Sequence, residues 1–183
     1  MKAFPILRTE RLLLRDFRLA DAKEVQRLAG AKEVARTTFV PYPYEDGIAE
    51  SWIERQKKEF EEGSITNFAI VLAAADTLIG SIGLILERPH QRGQLGYWIG
   101  APYWNQGYCT EAVLALLDYG FNELGLNRIW APHFKSNPAS GRVLQKAGLQ
   151  YEGSQREHYK RFGQYEDAEL YGLLKREYRA GSA

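Results

Sequence analysis

The segment from Gln94 to Gly125 constrains the fold more than any other stretch of the chain. An aromatic-rich run, Gln94–Ile99 (QLGYWI), reads as a strand, and the loop Gly100–Tyr108 follows it with Pro102 and Gly107. A helix then begins, with Val113, Leu116, Leu117, Phe121 and Leu124 along one stripe and Gly125 as its stop. A strand running through a glycine-bearing loop into a helix presents backbone N–H groups that have no intrahelical partner, and the helix dipole makes that end attractive to an anion. This is the one place in the chain where a phosphate site is physically natural. In the run Trp104-Asn105-Gln106-Gly107-Tyr108-Cys109-Thr110-Glu111, Gly107 lets an anion approach the backbone and Cys109 is small enough not to block it. A single glycine is equally what an ordinary strand-to-helix turn uses, so spacing leaves both readings open.

Around this unit the pattern predicts a strand over Arg11–Phe17 and a helix from Asp21, with Ala22, Val25, Leu28 and Ala29 inward and Gly30 as stop. The turn-rich stretch Val40–Gly47 leads to a second helix, where Ala49, Trp52, Ile53, Gln56 and Phe60 share a face. Asn67–Ala73 and Thr77–Glu87 read as a hairpin about Ala74–Asp76, and Arg128–Ala131 as a short strand. Asn137 and Pro138 open a further helix as cap and first residue, with Val143, Leu144 and Ala147 inward and Gly148 at its end. Leu149–Ser154 and Tyr165–Lys175 are the last strands. The order is α+β with a mixed sheet rather than regular βαβ alternation. No repeat or linker interrupts it, so a single domain over 1–183 is expected. Asn137 and Ser140 form a second polar constellation at the mouth between the strands. Capping accounts for Asn137 alone; Ser140 in the first turn is harder to explain that way.

Composition narrows the classes of function. Lys and Arg number 24 against 23 Asp and Glu, a net charge of +1, which disfavours a protein whose affinity rests on neutralising nucleic-acid phosphates. One cysteine allows no intrachain disulfide and no Cys-based zinc site, and no metal is expected. The apolar run Phe68–Ala75 is too short to span a bilayer, and Pro5 and Arg8 break the start of the chain before a signal-type apolar run develops. The expectation is a cytoplasmic protein with no membrane and no direct nucleic-acid partner, either a monomer or a homodimer.

Several motifs in order carry a resemblance. "QLGYWIGAPYWNQGYCTEAVLALLDYGFNELGLNRIWA", "NPASGRVLQKAGLQYEG", "GQYEDAELYGLL" and the opening "RTERLLLRDFRLADAKEV" closely resemble the GNAT superfamily of N-acetyltransferases, and most of all its RimJ/RimL-like branch. The resemblance implies a GNAT-type fold, a mixed, mostly antiparallel twisted sheet of about six to seven strands with helices on both faces. It also implies acetyl-CoA as co-substrate. The family's pyrophosphate motif falls on Trp104, Asn105, Gln106, Gly107, Tyr108 and Cys109, with Thr110 next. Here Cys109 replaces the usual Gly or Ala, and Asn105 stands where Gly is frequent. Both changes keep the backbone amides. By the same resemblance the backbone of Tyr97, Trp98 and Ile99 runs beside the pantetheine arm, and Asn137 contacts the cofactor from the opposite wall.

One departure bears on mechanism. Many family members carry a tyrosine seven residues after the asparagine to protonate the departing thiolate; here that position is Leu144. The resemblance points to Ser140 instead, as a hydroxyl that stabilises the thiolate rather than a strong acid. It implies direct attack by a neutral amine with no covalent enzyme intermediate, the oxyanion held by a strand amide near Ile99. A base or a water chain must take the amine's proton. Glu87, Glu157 and His158 lie near predicted strand ends, and Glu157 is favoured because Gln155–Gly163 is expected to overhang the cleft. Phe39–Tyr44 is a candidate apolar wall for the acceptor, and Glu45–Glu62 carries seven acids against three bases. The acceptor amine, a protein N-terminus or a small molecule, stays open. A GNAT-like sensor that binds acyl-CoA without transfer is the competing reading.

Overall fold

The structure is a computed structural model that describes residues 3–178. Its strands are β1 (Leu7–Arg8), β2 (Leu12–Arg15), β3 (Ile65–Leu72), β4 (Thr77–Glu87), β5 (Arg92–Ile99), β6 (Arg128–Phe134), β7 (Gln150–Arg161) and β8 (Gln164–Leu174). They form one sheet in the order β1-β2-β3-β4-β5-β6-β8-β7. Every neighbouring pair is antiparallel except β5 and β6. The helices are α1 (Ala22–Ala29), α2 (Lys32–Thr37), α3 (Ile48–Glu61), α4 (Tyr108–Asp118) and α5 (Pro138–Lys146). A parallel pair needs a crossover, and α4 supplies it.

Alternation along the strands divides the core in two. On β3, Phe68 and Ile70 join the cluster beneath α4 and α5, while Ala69 and Val71 join the one beneath α1 and α3. The predicted stripe of α1 (Ala22, Val25, Leu28, Ala29) is buried throughout, and Val113, Leu116, Leu117 and Phe121 are buried as expected along α4 and its π-turn continuation. Ile53 on α3 is 0% exposed, a position where truncation to Ala costs about 2–5 kcal/mol. The α+β class, the mostly antiparallel sheet and the helices on both faces agree with expectation.

Three local expectations change. The sheet has eight strands rather than six to seven, because Leu7–Arg8 pairs with Leu13–Leu14 over a length too short for alternation to be read. Lys32–Thr37 forms a short helix that the sequence reading leaves unassigned. Gln155–Gly163 does not form an overhanging loop: β7 continues to Arg161, with an irregular register between Gln155 and Tyr159. This strand is at one edge of the sheet and mostly exposed past Ser154, so its continuation has no apolar pattern to reveal it. No helix among the described residues is long and apolar enough to cross a membrane.

Candidate active site

The site begins where the parallel pair comes apart. β5 and β6 are paired only from Arg92–Gln94 to Arg128–Trp130, whereas β5 stays registered with β4 up to Ile99. Leu95–Ile99 therefore has one edge without a neighbouring strand, and backbone groups there need partners from elsewhere. One is met internally: the Trp104 indole N–H donates to the Ile99 carbonyl at 2.7 Å. The parting opens a cleft of about 1580 Å³ that reaches both faces of the sheet.

At one end of the cleft the loop turns into α4. Asn105 (φ +61°) and Gly107 (φ +81°) are both left-handed. Asn tolerates that region better than most side chains, so its standing here keeps the turn. The first intrahelical bond is Glu111 N–H to the Gly107 carbonyl at 3.1 Å, so the N–H groups of Tyr108, Cys109 and Thr110 head the helix without intrahelical partners. A clamp from the start of the chain holds this turn. Glu111 accepts from the Thr9 hydroxyl at 2.6 Å, from Arg11 N–H at 2.9 Å and from Arg11 Nε at 2.7 Å, while Arg11 Nη1 donates to the Gln106 carbonyl at 3.0 Å. Burial would raise the Glu111 carboxyl, yet the hydrogen bonds from Thr9 and Arg11 outweigh it and hold it below the usual carboxylate range. Burial also pushes the Cys109 thiol up to about 12, so it is a neutral thiol at neutral pH and a poor nucleophile.

Across the cleft, the Asn137 side chain accepts from Ser140 N–H at 3.4 Å, which makes it the cap of α5, and both residues line the cavity. The Tyr97 hydroxyl reaches from β5 to within 2.7 Å of Ser140 Oγ. Leu144 is 0% exposed and packs in the core under α5. His133 holds Nδ1 2.8 Å from the Phe134 carbonyl; a carbonyl only accepts, so Nδ1 carries the proton.

The face beneath α3 is different. Ser81 donates to Asn67 Oδ1 at 2.9 Å, Asn67 Nδ2 to Gln56 Oε1 at 3.1 Å, and Gln56 Nε2 to Glu59 Oε2 at 3.2 Å. All four line the cleft, and Ser81 and Gln56 are buried. Asn67 lies across Gly83, where a Cβ would stand 2.6 Å from Asn67 Oδ1. Beside it in register, Gly96 has open space, so the cleft floor there is bare backbone. Phe39 packs on Phe134 and Tyr159 at centroid distances of 5.0 and 4.7 Å. Arg161 Nη2 ties the strand tip to α2 and the segment after it, donating to the carbonyls of Ala35 at 2.7 Å and Val40 at 2.9 Å.

The cleft brings together Tyr97, Trp98, Ile99, Asn105, Gly107, Tyr108, Cys109, Thr110, Asn137 and Ser140. Gln106 is not among its lining residues: its side chain turns back to donate to the Pro102 carbonyl at 3.1 Å. Nor is Glu157, which sits exposed in the irregular part of β7 with its N–H bonded to Asp167 at 2.9 Å. Glu87 and His158 lie outside it as well; the carboxylates that line it are Asp46 and Glu59. Sequence reasoning assigned Tyr97 through its backbone only and missed the Glu111 clamp and the Ser81–Glu59 chain. One signal was present: Gln56 stands in the inward stripe of α3, and a buried amide requires partners.

Residues 11–150 match the acetyltransferase (GNAT) domain family. The chain is 34% identical over 174 residues to the uncharacterized N-acetyltransferase p20 of Bacillus licheniformis, covering 94% of this chain and 97% of that one. Among solved structures, it is similar to an acetyltransferase (GNAT family) from Bacillus anthracis, with TM-score 0.83 and 26% identity, covering 94% of this chain and 99% of the other. It shares its fold with the ribosomal-protein-S5-alanine acetyltransferase of Vibrio fischeri, with TM-score 0.83 and 20% identity, covering 93% and 97%. The parted strands, the free N–H groups at the head of α4 and the family match converge on one statement: the chain belongs to the GNAT acetyltransferase family.

Proposed function

We propose that the chain transfers the acetyl group of acetyl-CoA to a primary amine, in a ternary complex and without an acyl-enzyme, as a member of the RimJ/RimL-like branch. The observation that carries this reading is the unpaired edge of Leu95–Ile99 lying in the same cleft as the head of α4. The α4 N–H groups suit the pyrophosphate, and the open β5 edge suits the amide groups of the pantetheine arm. Asn137 and Ser140 form the opposite wall. The acetyl carbonyl lies against a β5 amide near Ile99, which steadies the oxyanion as it forms.

The amine enters from the α3 face, over the bare floor at Gly96 and beside the Asn67 side chain that covers Gly83. Its nitrogen forms the new C–N bond, the C–S bond breaks, and the sulfur leaves as thiolate next to Ser140. The amine's proton passes to water. The neutral Cys109 supports direct attack over a covalent intermediate. The acceptor is a protein N-terminus or a small amine; a protein of the same fold is titled a ribosomal-protein-S5-alanine acetyltransferase, and a curated relative a spermidine N(1)-acetyltransferase.

Calorimetric titration with acetyl-CoA tests the donor half. The parent protein binds it, and Gly107→Val, which forces a β-branched residue to φ +81°, weakens binding by about 100-fold or more. Equal affinity in the two proteins rules out the α4 loop as the pyrophosphate site.

A further inference from the structure

The structure assigns Tyr97 a role of its own: we infer that its hydroxyl is a fixed hydrogen-bond donor to Ser140 Oγ, which turns the Ser140 hydroxyl proton toward the sulfur leaving the acetyl group. This rests on the proposed acetyl transfer and deepens it. The two oxygens are 2.7 Å apart, and the Tyr97 hydroxyl is also 3.3 Å from the Ser140 carbonyl. Tyr97 comes from β5 and Ser140 from the first turn of α5, so the contact spans the parted strands from one wall to the other. Both residues line the cleft.

Chemistry sets the direction of the bond once charge develops. A phenol is the better donor and an alkyl hydroxyl the better acceptor, so the favoured arrangement is Tyr97 O–H to Ser140 Oγ. Each hydroxyl has a single proton. When Tyr97 fills a lone pair of Ser140, the Ser140 proton is free for a third partner, and the departing thiolate next to it is an anionic acceptor. A chain of this kind is cooperative, since the first bond polarises the second. Without a thiolate, the Ser140 proton can rest on Tyr97 while the Tyr97 proton turns to the Ser140 carbonyl. The pair therefore has two rotor settings, and the leaving group selects one.

No proton need leave either residue. Burial raises the Tyr97 phenol well above its ordinary value, which makes it a poor acid and a dependable donor. The sulfur departs as thiolate held by the Ser140 hydroxyl, and takes its proton from water when CoA is released. Leu144, on the same helix as Ser140, is sealed in the core, and the phenol reaches the site from the facing strand. Tyr97 is a positioning residue by this account, because it acts through Ser140.

The test is a double-mutant cycle with Tyr97→Phe, Ser140→Ala and both together, each checked for an unchanged thermal transition. Ser140→Ala lowers kcat by about 10–100-fold and Tyr97→Phe by about 2–10-fold, with KM for acetyl-CoA within twofold of the parent. In the Ser140→Ala background, Tyr97→Phe has no further effect on kcat. Thiolate absorbance of bound CoA gives a second readout: its pH midpoint lies below that of free CoA in the parent and shifts upward in Tyr97→Phe. Additive losses in the cycle, or an unmoved CoA midpoint, overturn the role of Tyr97 while leaving the transfer reaction standing. Failure of the parent to bind CoA overturns the proposed function itself.

Discussion

The two walls of the cleft use opposite chemistry. The wall made by β5, α4 and α5 presents hydrogen-bond donors: the N–H groups at the head of α4 and the Tyr97–Ser140 hydroxyl pair. The one acid beside it, Glu111, is turned away and consumed by Thr9 and Arg11. The wall beneath α3 ends in acceptors. There three successive hydrogen bonds run from Ser81 through Asn67 and Gln56 to the Glu59 carboxylate, which orients every amide on the way. An anionic donor and its leaving thiolate fit the first wall, and an amine fits the second. A sheet whose β5 and β6 strands part can hold both at once, because each wall stands on a different face of the sheet.

If the walls are independent, damage to one leaves the substrate of the other alone. The largest effect is expected from Asn67→Leu, which strands the buried Ser81 hydroxyl and the Gln56 amide. A loss of about 1–3 kcal/mol in acceptor-side organisation raises the KM for the amine by roughly 5- to 150-fold. Acetyl-CoA affinity stays as it was; a parallel loss in steady-state kinetics for both substrates breaks the separation of the walls.

Next is Glu111→Gln, which loosens the clamp on the α4 turn. Arg11 is partly exposed, so the interaction is worth about 1–2 kcal/mol, and KM for acetyl-CoA rises by roughly 5- to 30-fold with the amine KM unchanged. The same residue gives a pH dependence of definite sign. Its carboxyl is depressed in the folded state, so it contributes stability above the unfolded carboxylate range, and that stability is lost as pH falls through the lower folded value. Thermal melts from pH 7 downward should therefore converge for parent and Glu111→Gln at the acid end. Curves that stay parallel exclude the clamp as the source.

The smallest effect is expected from Arg161→Met, which frees α2 and the loop after it from the tip of β7. Two neutral acceptors lose one guanidinium, and the amine KM rises by about two- to fivefold without a change for acetyl-CoA. A change in acetyl-CoA binding instead places the β7 tip on the donor side.

Much of the donor wall was legible in the sequence because its signals are local. Gly107 before an apolar stripe announces a strand–loop–helix, and Asn137-Pro138 announces a capped helix; both are found in place. The pairing of Tyr97 with Ser140 was not legible, since 43 residues separate them and only the parting of β5 from β6 sets their distance. The acceptor wall draws its chain from α3, β3 and β4, so no sequence window contains it. Gln56 within an inward stripe was the one clue. Glu157 looked well placed only while Gln155–Gly163 read as a loop; as a strand, the segment follows the sheet edge and carries Glu157 away from the cleft lining.

The most direct test of a donor wall facing an acceptor wall is CoA thiol release from acetyl-CoA across a panel of primary amines and N-terminal peptides. Release is expected to depend on an acceptor, to saturate with it, and to be slowed in Asn67→Leu through the amine KM. Tight acetyl-CoA binding with no acceptor-dependent release from any member of the panel contradicts it.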